Sequence, residues 1–166
     1  MSAPTVIGLD LSITATGCAH SSGDVETWKL PAKLGDRRLV EIATATYELR
    51  TPPPNLVVIE DLPTHAHGAG ITGMVHGAVR AELIRLDIPY VLVPPATLKK
   101  YATGRGNAGK PEMAVALFKR AGLELGDDNQ VDAWWLRAMG MDALGAPLVD
   151  LPAAQRDAMT KVTWPT

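Results

Sequence analysis

The chain has 166 residues, a net charge of −2 and 46% hydrophobic residues, which suits one globular domain with a sizeable core and leaves little room for two. The single Cys18 excludes a disulfide framework within the chain and suits a reducing compartment. No apolar run nears the roughly 20 residues of a membrane span, and Met1–Pro4 lacks the basic-then-apolar grammar of a signal peptide, so a soluble cytoplasmic protein is expected.

In chain order, Val6 to Asp10 reads as a central strand, apolar and with little alternation. Thr16 to His20 and Glu26 to Leu30 are shorter strands, joined at Ser21-Ser22-Gly23-Asp24 by a hairpin loop. Asp36 to Arg50 spaces Leu39, Ile42, Ala43, Thr46 and Leu49 as a helix does, until Pro52-Pro53-Pro54 stops it. Leu56 to Glu60 is a buried strand, and Leu62 to Gly70 a loop rich in Pro, His and Gly. A helix over 71–86 follows, with Gly73, Gly77 and Ala81 on one ridge where another backbone can approach closely. Tyr90 to Val93 is a strand ended by Pro94-Pro95. A short helix to Tyr101, a Gly-rich loop to Gly109, and helices over 111–121 and 129–144 complete the predicted elements. Residues 146–166 show prolines and no period, and are expected to be a C-terminal tail after a domain over 1–145. Strands first, then strands alternating with helices, argue for an α/β fold with a mixed five-stranded sheet flanked by helices.

Three acidic sites interrupt this apolar pattern. Asp10 ends the first strand, Glu60 ends another, and Asp132 sits inside the last helix just before Ala133-Trp134-Trp135-Leu136. An ionised carboxylate among Val, Ile and Leu is costly unless paired, hydrogen-bonded or bound to a cation. Each has a bland alternative: a strand-end Asp is often a turn former, and a strand-end Glu often faces solvent. Asp127 with Gln130 reads as a helix cap, whereas Asp132 lies beyond any cap. Asp61 is expected on the face opposite Glu60, since strand side chains alternate. Together the acids suggest one divalent-metal centre, in which crowded like charges raise one another's proton affinity. Hard oxygen ligands suit Mg²⁺ or Mn²⁺, and no Cys/His set suited to zinc stands out in the sequence. Such ions serve phosphodiester cleavage.

A basic stretch adds a second signal. Lys99, Lys100, Arg105, Lys110, Lys119 and Arg120 face a single acid, Glu112, between Thr97 and Arg120. The loop Gly104-Arg105-Gly106-Asn107-Ala108-Gly109-Lys110 looks like a phosphate cradle but is no P-loop, because Pro111 stands where Ser or Thr would be needed. Bare amides and lysines at helix starts suit a nucleic-acid backbone, although a solvated charged surface is the commoner meaning of a charge run. His65, His67 and His76 read as polar residues and not ligands, and Trp134 and Trp135 as core.

With these residues in view, the chain resembles the RuvC-type Holliday-junction resolvases of the ribonuclease H-like superfamily. The resemblance rests on Ile7-Gly8-Leu9-Asp10 with Thr16-Gly17, on Val58-Ile59-Glu60, on Pro95-x-x-Leu98-Lys99-Lys100 leading into Gly104-x-Gly106-x-Ala108-x-Lys110, and on Val131-Asp132-Ala133. It implies a Mg²⁺-dependent homodimeric endonuclease (Mn²⁺ substituting) that cuts four-way or branched DNA by paired symmetric nicks. By the same resemblance Asp10, Glu60 and Asp132 are catalytic metal ligands, Lys99 and Lys110 lie near scissile phosphates, and the helix with Gly73 is the dimer contact. Lys100 and Arg105 join Lys99 and Lys110 as expected DNA contacts. The family's fourth acid or histidine would fall at Asn129; Asp128, one helical turn before Asp132, is positioned to substitute. The family aromatic after Glu60 is replaced by Leu62-Pro63-Thr64-His65, so cleavage preference is not carried over. The alternatives are a catalytically inactive junction binder and an RNA-processing ribonuclease H relative. A sugar-kinase-like phosphotransferase, which shares a Gly-x-Asp-x-Ser/Thr loop, is disfavoured because such proteins need a second domain.

Overall fold

The structure, a computed structural model, describes residues 3–62 and 69–165. Five strands form one sheet in the order β3-β2-β1-β4-β5: β1 (Val6–Asp10), β2 (Ala15–Ala19), β3 (Val25–Lys29), β4 (Leu56–Glu60) and β5 (Tyr90–Val93). The first three form an antiparallel meander, and β4 and β5 then add in parallel beside β1. The sheet is mixed, as expected from strands that first follow one another and then alternate with helices.

Each face of the sheet carries its own apolar layer. On one face α1 (Arg37–Glu48) and α2 (Ala69–Arg85) cover Ile7, Leu9, Val57 and Ile59. On the other, α5 (Asp128–Ala143), with α3 (Pro95–Thr103) and α4 (Lys110–Ala121), covers Val6, Leu56 and Val58. Alternation along β1 therefore puts Val6, Gly8 and Asp10 toward α5, and Ile7 and Leu9 toward α1 and α2. Among the described residues no helix is long and apolar enough to cross a membrane.

Two strand glycines and one helix glycine set the height of α5. A Cβ on Gly8 would lie 2.1 Å from the Ala133 carbonyl oxygen, and one on Gly17 would lie 2.1 Å from that of Asn129. From the helix side, a Cβ on Gly140 would meet Val58 Cγ2 at 2.6 Å and Val6 Cγ1 at 2.7 Å. These are backbone-to-sheet contacts that no side chain can enter without lifting the helix. Because Asn129 sits over Gly17 and Gly140 over Val6, the first turn of α5 reaches the end of β1 that carries Asp10.

The segment after α5 is helical and contributes to the core. A short α6 (Ala153–Arg156) runs into a 3₁₀ turn at 157–161, and Leu151, Ala158 and Val162 are buried in the α5-side layer. A four-residue helix is too short to produce a readable period, which is why the sequence shows none. The segment is tied down by charge as well. Arg156 donates to both oxygens of the buried Asp142 (2.9 and 2.5 Å), the Tyr101 hydroxyl donates to Asp142 Oδ2 (3.2 Å), and Gln155 donates to the Tyr101 carbonyl (2.8 Å). The segment thus braces α3, the helix that carries Lys99 and Lys100.

Candidate metal and DNA site

The parallel register Leu9↔Ile59 brings the ends of β1 and β4 side by side, and with them Asp10 and Glu60. The glycine seat lowers α5 onto the same edge, which adds Asp132 one turn into the helix. Their proximity is expressed in their electrostatics. Burial pushes the Asp10 carboxyl up to about 7, and the negative charge of Asp132 pushes in the same direction. Burial raises Glu60 to about 8, helped first by Asp10 and then by Asp132. Asp132 is raised by burial to about 6, while the Lys110 and Lys99 ammonium groups pull it back. Among the described residues none of the three forms an ion pair within salt-bridge distance. The donor set is three desolvated carboxylates that repel one another, and a hard divalent cation would relieve both penalties at once.

Lys110 opens α4, and its charge acts on Asp10, Glu60 and Asp132 alike. Its amine forms an ion pair with Asp128, the first residue of α5, so one exposed lysine links the start of α4 to the start of α5. Lys99 acts on Glu60 and Asp132 from α3. Arg105 is exposed but engaged, donating to Glu112 Oε1 at 2.9 Å, while the other Glu112 oxygen accepts the Gly109 N–H at 2.7 Å. Glu112 thereby holds the cradle loop against α4. The left-handed Gly104 (φ 86°) ends α3 where that loop begins. Lys100 lies in the last turn of α3.

Asp127 is the helix cap that its spacing predicts: its carboxylate accepts the Gln130 N–H (3.0 Å) and the Thr27 hydroxyl (2.8 Å), tying α5 to β3. Asn129 is seated over Gly17, with its backbone oxygen and Cβ both turned toward β2. Asp61 acts on the buried His76 of α2 and so belongs to the opposite layer from Asp10. Trp135 is fully buried and donates to the Met113 carbonyl, a core role. His65, His67 and the Pro63–His65 stretch lie outside the described residues.

The sequence alone missed the Asp142–Arg156–Tyr101 network that steadies α3. Its only signal is an Asp in an apolar helix with an Arg 14 residues on, a spacing that no local rule connects.

No protein-family model matches the chain. A curated relative, the crossover junction endodeoxyribonuclease RuvC of Nocardia farcinica (strain IFM 10152), is 28% identical over 132 residues, which cover 72% of this chain and 70% of the relative. The Thermus thermophilus RuvC structure superimposes with a TM-score of 0.69 at 21% identity, covering 88% of this chain and 99% of that one. The chain is RuvC-like in sequence and in fold. T. thermophilus RuvC in complex with a Holliday junction substrate gives a TM-score of 0.72 at 20% identity, over 89% of this chain and 99% of that one. The expected architecture, a mixed five-stranded sheet flanked by helices, is thereby borne out and is the fold these RuvC structures share.

Proposed function

We propose that the chain is a metal-dependent, structure-selective DNA endonuclease that cuts Holliday junctions or related branched DNA as a homodimer. The observation that carries this reading is the convergence of Asp10, Glu60 and Asp132 from three elements onto one edge of the sheet, desolvated and with like charges opposed. A structure gains nothing from such an arrangement unless a cation joins it. The RuvC relatives supply the substrate class.

Asp10, Glu60 and Asp132 would hold Mg²⁺, with Mn²⁺ able to substitute, and Asp128 at the rim would complete the ligand set. A divalent ion bound there would supply an activated water and charge stabilisation for the leaving oxygen of a phosphodiester. Lys110, exposed and pre-positioned by Asp128, would move its ammonium onto the scissile phosphate, where developing negative charge is best stabilised by a fixed cation. Lys99, Lys100 and Arg105 would contact the flanking backbone, which positions the junction without reading its sequence. All of these residues fall within 1–145, the proposed nuclease unit, with the following segment as its brace. A cytoplasmic location suits such a substrate.

The homodimer reading rests on α2. Gly70, Met74, Gly77, Ala81 and Ile84 are exposed at intervals of three and four, so a small and apolar stripe runs the length of the helix with no charge on it. A Cβ on Gly77 would meet nothing within 4 Å, leaving the space a second backbone needs. A twofold partner on this stripe would give two active sites and paired nicks.

The deciding experiment compares a fixed four-way junction, a linear duplex and an RNA–DNA hybrid under Mg²⁺. Selective, symmetric nicking of the junction supports the proposal. Binding without cleavage in Mg²⁺ and Mn²⁺ would point to a junction-holding protein, and preferential cutting of the hybrid to an RNA-processing enzyme.

A further inference from the structure

The hairpin β2–β3 gathers a second set of ligating side chains on the sheet face opposite Asp10. Cys18 pairs with Glu26 across the hairpin, and His20, two residues after Cys18, projects to the same side. The result is that the Cys18 sulfur, a His20 ring nitrogen and a Glu26 carboxylate oxygen all lie within 4.8 Å of one another. No Cys/His ligand set is visible in the linear sequence; the antiparallel register creates one.

We propose that Cys18, His20 and Glu26 form a binding site for a transition-metal ion of the Zn²⁺ class, which clips the edge strand β3 to β2. The donor types decide the class of ion. Thiolate, imidazole and carboxylate are the usual zinc ligands, whereas Mg²⁺ takes oxygen alone. The carboxylate is already oriented: the Trp28 indole N–H donates to Glu26 Oε1 at 2.8 Å, and His20 Nε2 contacts the same oxygen at 2.8 Å. Oε2 carries no hydrogen bond among the described residues. An outer partner such as the Trp28 indole, which fixes a ligand from behind, is typical of metal sites. A cavity of about 340 Å³ opens beside His20 and Glu26, lined also by Trp28, Glu48 and Pro52, and leaves room for a water as fourth ligand.

The alternative is a plain ion pair between His20 and Glu26 over a buried thiol. An exposed pair of that kind contributes little to stability, and it does not call for a sulfur beside it. Ion binding would replace the Cys18 S–H bond by a metal–sulfur bond and release the proton to solvent. β3 is the strand that gains, since it lies at the sheet edge and none of its residues is fully buried. The ion would be structural, because Cys18 shares the face of Leu9 and not that of Asp10.

Cys18 is the only cysteine in the chain, so any sulfur-to-metal absorption must come from this site. The test titrates Co²⁺ into the metal-free full-length protein with Mg²⁺ in excess to keep the carboxylate site occupied. The expected result is a thiolate-to-cobalt band that saturates at one equivalent and is displaced by Zn²⁺, with a rise in Tm on Zn²⁺ addition. Cys18→Ser should abolish the band, while His20→Ala and Glu26→Gln, changes at solvent-accessible side chains, should each weaken Co²⁺ binding by about 10- to 100-fold. Absence of the band in the wild type would overturn the proposal. A band with the same affinity in His20→Ala and Glu26→Gln would overturn it too, since the thiol would then be acting alone. Junction cleavage in Mg²⁺, measured on the same samples, should be unchanged by Cys18→Ser. Loss of that cleavage in the wild type would count against the nuclease reading and leave the Co²⁺ result standing.

Discussion

Asp142 and the trio Asp10, Glu60 and Asp132 are carboxylates lodged against the same helix and sheet, yet they are treated in opposite ways. Asp142 is 4% exposed and receives Arg156 on both oxygens and Tyr101 on one, so every demand of its charge is met by the protein. The trio receives only distant help from Lys99 and Lys110 and is pushed together by the fold. A buried carboxylate satisfied from within is a brace. One left unsatisfied beside two others is what the proposed metal centre would account for. The partner set, and not burial, distinguishes the two environments.

The largest expected effect comes from removing one acid of the trio. Asp10→Asn should fold and bind a four-way junction in EDTA at least as well as wild type, because it relieves repulsion, and should lose at least about 100-fold in cleavage rate with Mg²⁺. Gel-shift and single-turnover cleavage on the same preparation read both halves. Near-wild-type cutting would place the chemistry elsewhere.

The complementary change strikes the brace. Arg156→Ala leaves the buried Asp142 without its cation and should lower the urea midpoint, by less than the loss of a fully buried partner would, because water can reach the gap. Cleavage per folded molecule should fall far less than in Asp10→Asn. An Arg156→Ala protein that is fully stable would break the distinction.

A third measurement uses pH. Carboxyls raised in the folded state, Asp10 to about 7, Glu60 to about 8 and Asp132 to about 6, stabilise the fold fully below their unfolded values near 4 and lose that contribution as pH rises through 6 to 8. Metal-free protein should therefore be less stable at pH 8 than at pH 5. Mg²⁺ should restore the loss and Asp10→Asn should shrink it. A flat urea midpoint across this window in EDTA would show that the trio is not held apart from solvent as described.

The smallest effect concerns Asp128. If it serves the ion and aims Lys110, Asp128→Asn should lower cleavage and raise the Mg²⁺ requirement by several-fold, on the scale of about 10-fold for groups that orient a metal ligand. Asn129→Ala should do much less. Equal, near-wild-type rates for both would leave three carboxylates as the whole site.

Much of this was legible in the sequence because strands that end in an acid are conspicuous. Val6–Asp10 and Leu56–Glu60 are apolar runs whose last residue has no packing use, and Asp132 stands beyond the reach of a cap. Cap and site were separable at Asp127 and Asp132 for the same reason. What the sequence withheld was contact between residues with no local rule joining them. Asp142 and Arg156 meet only through tertiary packing, and their four-residue helix is too short to announce itself. The ridge of Gly73, Gly77 and Ala81 was read as small residues alone, and only exposure revealed Met74 and Ile84 on the same stripe. Cys18 and Glu26 pair because the hairpin is centred on Ser22; a loop spanning 21–24 would instead set Thr27 opposite Cys18, so without the register their chemistry stays invisible.

The way α5 rests on Gly8 and Gly17 has a consequence in time. Asp132 is 122 residues from Asp10, and at a synthesis rate of about 5–20 residues per second the ribosome needs roughly 6–24 s to pass from one to the other. From the emergence of β4 until α5 follows, the face formed by Val6, Leu56 and Val58 has no α5 to cover it. The acid trio cannot assemble before α5 emerges. Unfinished chains carry Asp10 and Glu60 but no Asp132, so under the proposed function they would lack the complete ligand set.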